Sequence, residues 1–285
     1  MFLTTLLALA GTLLAPDPAQ APRPRAKETD GNRLVKVALV ADHDGVRAGG
    51  TFELGIRLEV RPGWHIYWEN AGDAGNPTRV ELTGPDGFDI GRVRFPCPAR
   101  HEEDGDIVSF VHEGSVWLLA EVRAPKELAP GTKLDFRVEC DWLVCTDYCL
   151  PGSGRAKLEL ASVANDATPK AANEKEFTAG RAQHPKAWKD VLGTREPVFE
   201  AGLDGRSRVV IEVPEAQELE FFPDASATTK LVKRVRTRTE KGARLELELE
   251  QINGSKDVDY RGVLWIRDAK GACSVLQERW RPEKK

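Results

Sequence analysis

The chain is short of several things, and each shortage removes a class of function. It has no excess of positive charge. Its 41 Lys and Arg stand against 45 Asp and Glu, for a net charge of -4, so the basic footprint of a nucleic-acid binder is missing. Long apolar runs are confined to the N-terminus, and no later segment reaches the roughly 20 apolar residues that span a bilayer. Five cysteines in 285 residues are too few for a disulfide-built scaffold, and an odd count leaves at least one unpaired or reactive. Helical periodicity is absent from residues 34–161. Ordinary cores must hold the fold. With 41% hydrophobic and 30% charged residues, the composition suits a soluble globular protein of roughly two domains.

What is present begins with MFLTTLLALAGTLLA, an apolar stretch followed by Pro and Ala and an A-x-A site, Ala19-Gln20-Ala21. This pattern predicts a secretory signal peptide over residues 1–21. A polar, Pro-rich lead-in occupies 22–33. The mature chain is expected to be soluble and exported, and peripheral to a membrane at most. An oxidising compartment permits disulfides.

From Leu34 the chain alternates. LVKVALVAD, TFELGIRLEV, SVWLLAEVRA and KLDFRVECDWLVC place apolar residues at every second position between Gly, Pro and Asp turns. Period-two alternation predicts half-buried antiparallel strands, and several at short spacing predict a β-sandwich over 34–161. The pattern breaks over 162–195, where NEKEFTAGRAQHPKAWKDVL reads as short helix and linker interrupted at Pro185. Strands return in SRVVIEVP, ELEFFP, ARLELELEQI and GVLWIRD, predicting a second, smaller all-β domain over 196–283. That region carries Cys273 and no histidine. It reads as a structural or docking module.

The chemistry concentrates in DWLVCTDYCLPG. Cys145 closes one strand, Thr146, Asp147 and Tyr148 make a loop, and Cys149 opens the next strand. Residues facing each other across such a hairpin have Cβ atoms about 4.5–5.5 Å apart, close enough to be bridged. Closing so small a loop constrains the unfolded chain by only about 2 kcal/mol, a poor return for a staple. An accessible pair at a loop tip suits thiol–disulfide exchange better. Two other readings stay open. One is a structural hairpin disulfide. The other is a soft metal site in which Cu(I) takes both thiolates with Cys140 or a histidine; the spacing is not a usual zinc one. Alternation turns Cys140 to the opposite face from Cys145. Cys97, between two prolines, either pairs with Cys140 or stays free. His101 serves as a proton shuttle or, more plainly, as a turn cap. Trp64, Trp68 and Trp142 are expected in the core, over the hairpin or on a docking surface.

Four stretches in one order carry a resemblance: GWHIYW, FPCPARHEEDGD, SVWLLAEV and WLVCTDYCLPG. Together they resemble the N-terminal periplasmic domain of the thiol:disulfide interchange protein DsbD, in its ScsB-like branch, over 34–161. EFFP and YRGVLWI in the second region are similar to motifs of a further β domain there. The resemblance implies an immunoglobulin-like β-sandwich whose cysteine pair cycles between dithiol and disulfide. It implies that Cys149 forms the mixed disulfide with partners, that Tyr67 is an aromatic beside the pair, and that Glu103 and Asp104 are acidic neighbours. It also implies a thioredoxin-like or membrane electron donor and periplasmic disulfide oxidoreductases or oxidised proteins as acceptors. No cofactor beyond the redox-active disulfide is expected, and no metal. The capping aromatic of the best-known branch falls at Gly105 here, which leaves Ile107 and Phe110 as the nearest substitutes. Membrane-embedded and thioredoxin-like domains are not found within the 285 residues, so a separate polypeptide is expected to supply electrons.

Asp147, Glu103 and Asp104 surround the pair with like charge, which holds thiols protonated. The expected behaviour is a shielded pair that reacts when a partner docks, with Trp142 and Tyr148 among the docking residues. The alternative is a non-catalytic binding module, for copper or a protein, stapled by a structural disulfide.

Overall fold

A computed structural model describes residues 28–103, 105, 107–195, 197–201, 206–225, 229–252, 260–269 and 271–280. The expected signal peptide and most of the lead-in lie outside them, as do Asp104 and the side chain of Cys273.

The alternating stretches are strands. In chain order they are β1 (Val35–Ala41), β2 (Thr51–Val60), β3 (His65–Gly72), β4 (Arg79–Thr83), β5 (Asp89–Ile90), β6 (Ala99–Glu103), β7 (Ile107–Glu113), β8 (Ser115–Arg123), β9 (Lys133–Cys145) and β10 (Cys149–Ala161). One sheet runs β1-β2-β8-β5. The other runs β10-β9-β3-β7-β6, with β4 continuing along β9 where β3 ends. The two pack face to face as an immunoglobulin-like sandwich. In β9 the even positions Leu134, Phe136, Val138, Cys140, Trp142 and Val144 are buried against Leu54, Ile56 and Leu58 of β2 and Leu118 of β8. Each large apolar side chain among them contributes about 1.5–3 kcal/mol. This alternation fixes the register, because a slip by one residue would turn the whole set to water.

The N-terminal end of the described chain is tied to the hairpin. Trp142 donates from Nε1 to the carbonyl of Gly31 at 3.3 Å, and Asn32 Oδ1 accepts from the Ser153 amide at 2.6 Å. Trp142 pairs with Gly152 across the ladder, where an added Cβ would sit 2.4 Å from the indole nitrogen. Only glycine lets the indole lie flat there.

The broken stretch divides between two bodies. Helix α1 (Glu174–Arg181) buries Phe177 against Trp117 on the back of β8, ring centroids 5.8 Å apart. After Pro185, β11 (Lys186–Ala187) and helix α2 (Trp188–Leu192) belong to the second body. Its remaining strands are β12 (Val198–Ala201), β13 (Arg206–Pro214), β14 (Glu218–Pro223), β15 (Thr229–Thr239), β16 (Gly242–Gln251), β17 (Tyr260–Asp268) and β18 (Gly271–Trp280). They form two sheets, β11-β18-β17-β14 and β12-β13-β16-β15, over a core that includes Val209, Ile211, Phe221, Leu245, Leu247 and Leu264. A segment read as linker therefore supplies an edge strand to the second body.

The bodies meet through aromatic rings. Trp68 and Phe110 of the first pack on Phe222 of the second, with Phe110 and Phe222 edge to face at 5.2 Å. Glu220, 4% exposed, takes Arg234 at 3.0 Å and Arg236 at 2.7 Å, and Arg100 of β6 approaches it to 4.0 Å. Asn70 donates to the Pro223 carbonyl at 2.7 Å.

Candidate functional site

Cys145 and Cys149 face each other as the last pair of the β9–β10 ladder and are joined in a disulfide, Cα atoms 4.1 Å apart. The Thr146 amide donates to the Tyr148 carbonyl at 3.0 Å and closes the loop. The two sulfurs are unequal. Cys145 is 2% exposed, whereas Cys149 lies exposed. Of the two, Cys149 is the one open to solvent.

Alternation decides what surrounds Cys145. It follows Val144, so it points away from the main core into a smaller cluster with Tyr67, Ala71, Val111 and half-buried Leu143. The Tyr67 hydroxyl stands 3.5 Å from Cys145 Sγ. The ring is held by its own strand, where the Tyr67 carbonyl accepts from Thr78 Oγ1 at 2.6 Å. It is also held by Gly75, at φ +88°, where an added Cβ would come within 2.2 Å of it. Burial and the nearby Glu103 raise the phenol above its usual range, so it stays a donor.

His65 also faces this cluster. It pairs with Cys145 on one side and Glu113 on the other, and is 6% exposed. Its ring lies 5.6 Å from Tyr67 and 4.7 Å from His101. Burial chiefly, then His101, lowers its pKa against the opposing pull of Glu113 and Glu103. At neutral pH it is an uncharged base.

The other residues expected here are distributed as follows. Tyr148 sits edge to face on Trp64 at 5.3 Å and donates to the Glu28 carbonyl at 3.1 Å, beside the pair. Asp147 is exposed at the loop tip, and Glu103 ends β6 with an exposed side chain. Ile107, 37% exposed, pairs with Glu103 at the outer margin of the same sheet face. Three expectations need correcting. Phe110 does not cap the pair, because it follows the opposite parity from Val111 and packs on Trp68 and Phe222. Trp142 is not a docking residue, because its even position in β9 turns it into the main core. The acidic stretch HEEDGD is strand through Glu103. His101 accordingly lies within β6 and caps no turn.

Sequence reasoning misses His65 because it sits inside an aromatic strand. Its signal is the parity it shares with Tyr67. Cys140 is 1% exposed in the main core, and burial pushes its thiol up to about 12. Cys97 is half-buried beside the joint. Among the described residues no three His, Cys, Asp or Glu side chains converge as a metal site. A cleft of about 450 Å³ between the two bodies, reached by Asn70, Asp73, Phe110 and Arg234, has no cysteine in its described walls.

Residues 32–161 match the family described as "Thiol:disulfide interchange protein DsbD, N-terminal". The fold is similar to that of the N-terminal periplasmic domain of ScsB from Proteus mirabilis. The TM-score is 0.56 at 13% identity, over 90% of this chain and 97% of that one. The N-terminal domain of DsbD from Neisseria meningitidis in the reduced form aligns at 14% identity and a TM-score of 0.23, over 48% of this chain and 90% of that one. No curated protein sequence matches. Within this chain, residues 32–161 are a DsbD N-terminal-like domain.

Proposed function

We propose that the protein is a periplasmic thiol–disulfide exchange protein. It passes electrons from a thioredoxin-like or membrane donor on a separate chain to oxidised periplasmic proteins, through the Cys145–Cys149 pair. The observation that carries this reading is the inequality of the two sulfurs. An exposed Cys149 takes the mixed disulfide, and a buried Cys145 resolves it. The disulfide is the whole redox centre in this reading, and the dithiol reduces a partner in two steps. Cys149 thiolate first attacks the partner's disulfide, and one partner sulfur leaves as thiolate. Cys145 then attacks Cys149, and the second partner sulfur leaves. Two electrons move, and each attacking thiol gives up one proton. The surrounding acidic groups hold the thiols protonated until a partner docks. Export to the periplasm agrees with the periplasmic setting of the similar ScsB domain.

The test is a Cys145→Ser chain expressed in its own exported proteome. Covalent complexes through Cys149 are expected on non-reducing separation, and their absence overturns the reading. A reduction potential of roughly -120 to -270 mV is expected for the pair, whereas one below about -300 mV marks a structural bond.

A further inference from the structure

Resolution of the mixed disulfide requires Cys145, which is buried, to lose its proton. Water is largely excluded from this sulfur, and something on the protein must take that proton. Tyr67 touches the sulfur, but its raised phenol is a donor and accepts no proton at neutral pH.

His65 is placed for the task. It lies directly across the β3–β9 ladder from Cys145, where facing side chains have Cβ atoms about 4.5–5.5 Å apart. Its Nε2 is buried and has no hydrogen-bond partner among the described residues. A buried ring nitrogen without a partner is a standing cost, and no structural return for it is visible among the described residues. The neighbours of the ring are Glu113 of β7, His101 and Glu103 of β6, Tyr67 of β3, and Cys145 of β9. His101 behind it makes a second imidazole available as a path to solvent.

We propose that His65 is the proton acceptor for Cys145 when the dithiol closes. This rests on the exchange reading of the Cys145–Cys149 pair. In that step the Cys145 S–H bond breaks and the proton goes to the His65 imidazole. The Cys145–Cys149 bond forms while the bond from Cys149 to the partner's sulfur breaks, and the electron pair leaves on that sulfur as thiolate. The His65 proton then passes by way of His101 to water or to the departing thiolate. Electrons and protons balance without a further reagent.

The role of His65 does not depend on which partner is used, so a small disulfide serves as probe. Full-length reduced protein is mixed with 5,5′-dithiobis(2-nitrobenzoate). Cys149 releases the first thionitrobenzoate, and closure by Cys145 releases the second. The rate of the second phase is followed against pH. In the native chain it is expected to hold its value down to the acid limb set by His65. In His65→Gln it is expected to rise about tenfold per pH unit until the thiol itself ionises. The variant is then slower by at least about tenfold at pH 7, and the gap closes as pH rises and the thiol ionises. Parallel profiles at all pH values overturn the assignment, since a structural role lowers the rate uniformly. Should His65→Gln fail to fold, His101→Asn gives the second reading. Removing that like-charged neighbour is expected to move the native acid limb upward, and an unmoved limb overturns the assignment. A failure of either kind leaves trapping through Cys149 intact, so the two proposals fall separately.

Discussion

Two faces of one pair of strands serve different ends. On β3 and β7, His65, Tyr67 and Val111 point outward to Cys145, while Trp68 and Phe110 point the other way to Phe222. The outward face holds an unpartnered imidazole nitrogen, a phenol and a disulfide. The joint face is aromatic, with its charges collected on Glu220 and satisfied by Arg234 and Arg236. Among the described residues both faces leave a buried ring nitrogen open, His65 Nε2 on one and Trp68 Nε1 and His112 Nε2 on the other, but only the outward face sets one across the ladder from a disulfide. The strands are shared, so the question is whether the faces are energetically independent.

The largest effect should come from emptying the joint. Phe222→Ala removes a ring packed between Trp68 and Phe110 and is expected to cost about 3–5 kcal/mol by urea denaturation. If the faces are independent, the rate of thiol exchange at Cys149 changes by less than about threefold in the same variant. A loss of exchange in step with stability would show that the joint positions the β6–β7 hairpin beside the sulfurs, and the independence of the faces would fail.

A smaller effect should appear with pH. His112 of β7 shares the parity of Phe110, is 6% exposed, and has a buried Nε2 without a partner among the described residues. Burial, and secondarily His184, push its pKa down to about 3. His184 is brought to about 4 by burial, although its Nε2 donates to the Trp117 carbonyl. Both imidazoles are therefore neutral when folded and titrate near 6.5 when unfolded. The unfolded chain binds protons first as pH falls. Their contribution is complete above about pH 6.5 and is lost on acidification toward pH 4 and 3. His112 alone costs up to about 1.4 kcal/mol per pH unit in that window. Glu69 and Asp224, raised by burial, act with the opposite sign as their carboxyls gain protons. Urea midpoints at pH 7 and 5 measure the balance. A lower midpoint at pH 5 is the expected outcome, and equal midpoints would mean that the carboxyls offset the imidazoles.

Much of this was legible in the residues. Period-two alternation locates the strands, and the parity of Cys140 against Cys145 separates the core face from the outward one. What parity did not reveal was the partner of each outward face. Phe110 reads as a strand residue on any face, and only the docking of EFFP shows that it belongs to the joint. His101 reads as a turn cap because HEEDGD is charged, yet β6 keeps it in a ladder whose exposed edge tolerates charge. The segment beyond Pro185 reads as linker because two residues of edge strand are too short to show a period.

The smallest effect isolates the one contact between the ring face and the sulfur. Tyr67→Phe keeps the ring that fills the cluster of Ala71, Val111 and Leu143 and removes only the hydroxyl 3.5 Å from Cys145 Sγ. The packing is conserved, so stability should move by less than about 1 kcal/mol. The hydrogen bond matters more once Cys145 carries charge, because a thiolate accepts a stronger bond than a disulfide sulfur does. Losing it should slow closure of the mixed disulfide by roughly twofold to tenfold, the span of about 0.5–1.5 kcal/mol for one such bond. The slowing should persist in alkaline solution, where the defect of His65→Gln closes. If Tyr67→Phe shows the same pH dependence as His65→Gln, the hydroxyl is relaying the proton to the imidazole and the two side chains act as one unit. If it slows nothing, the contact belongs to packing, and His65 alone distinguishes this face from the joint.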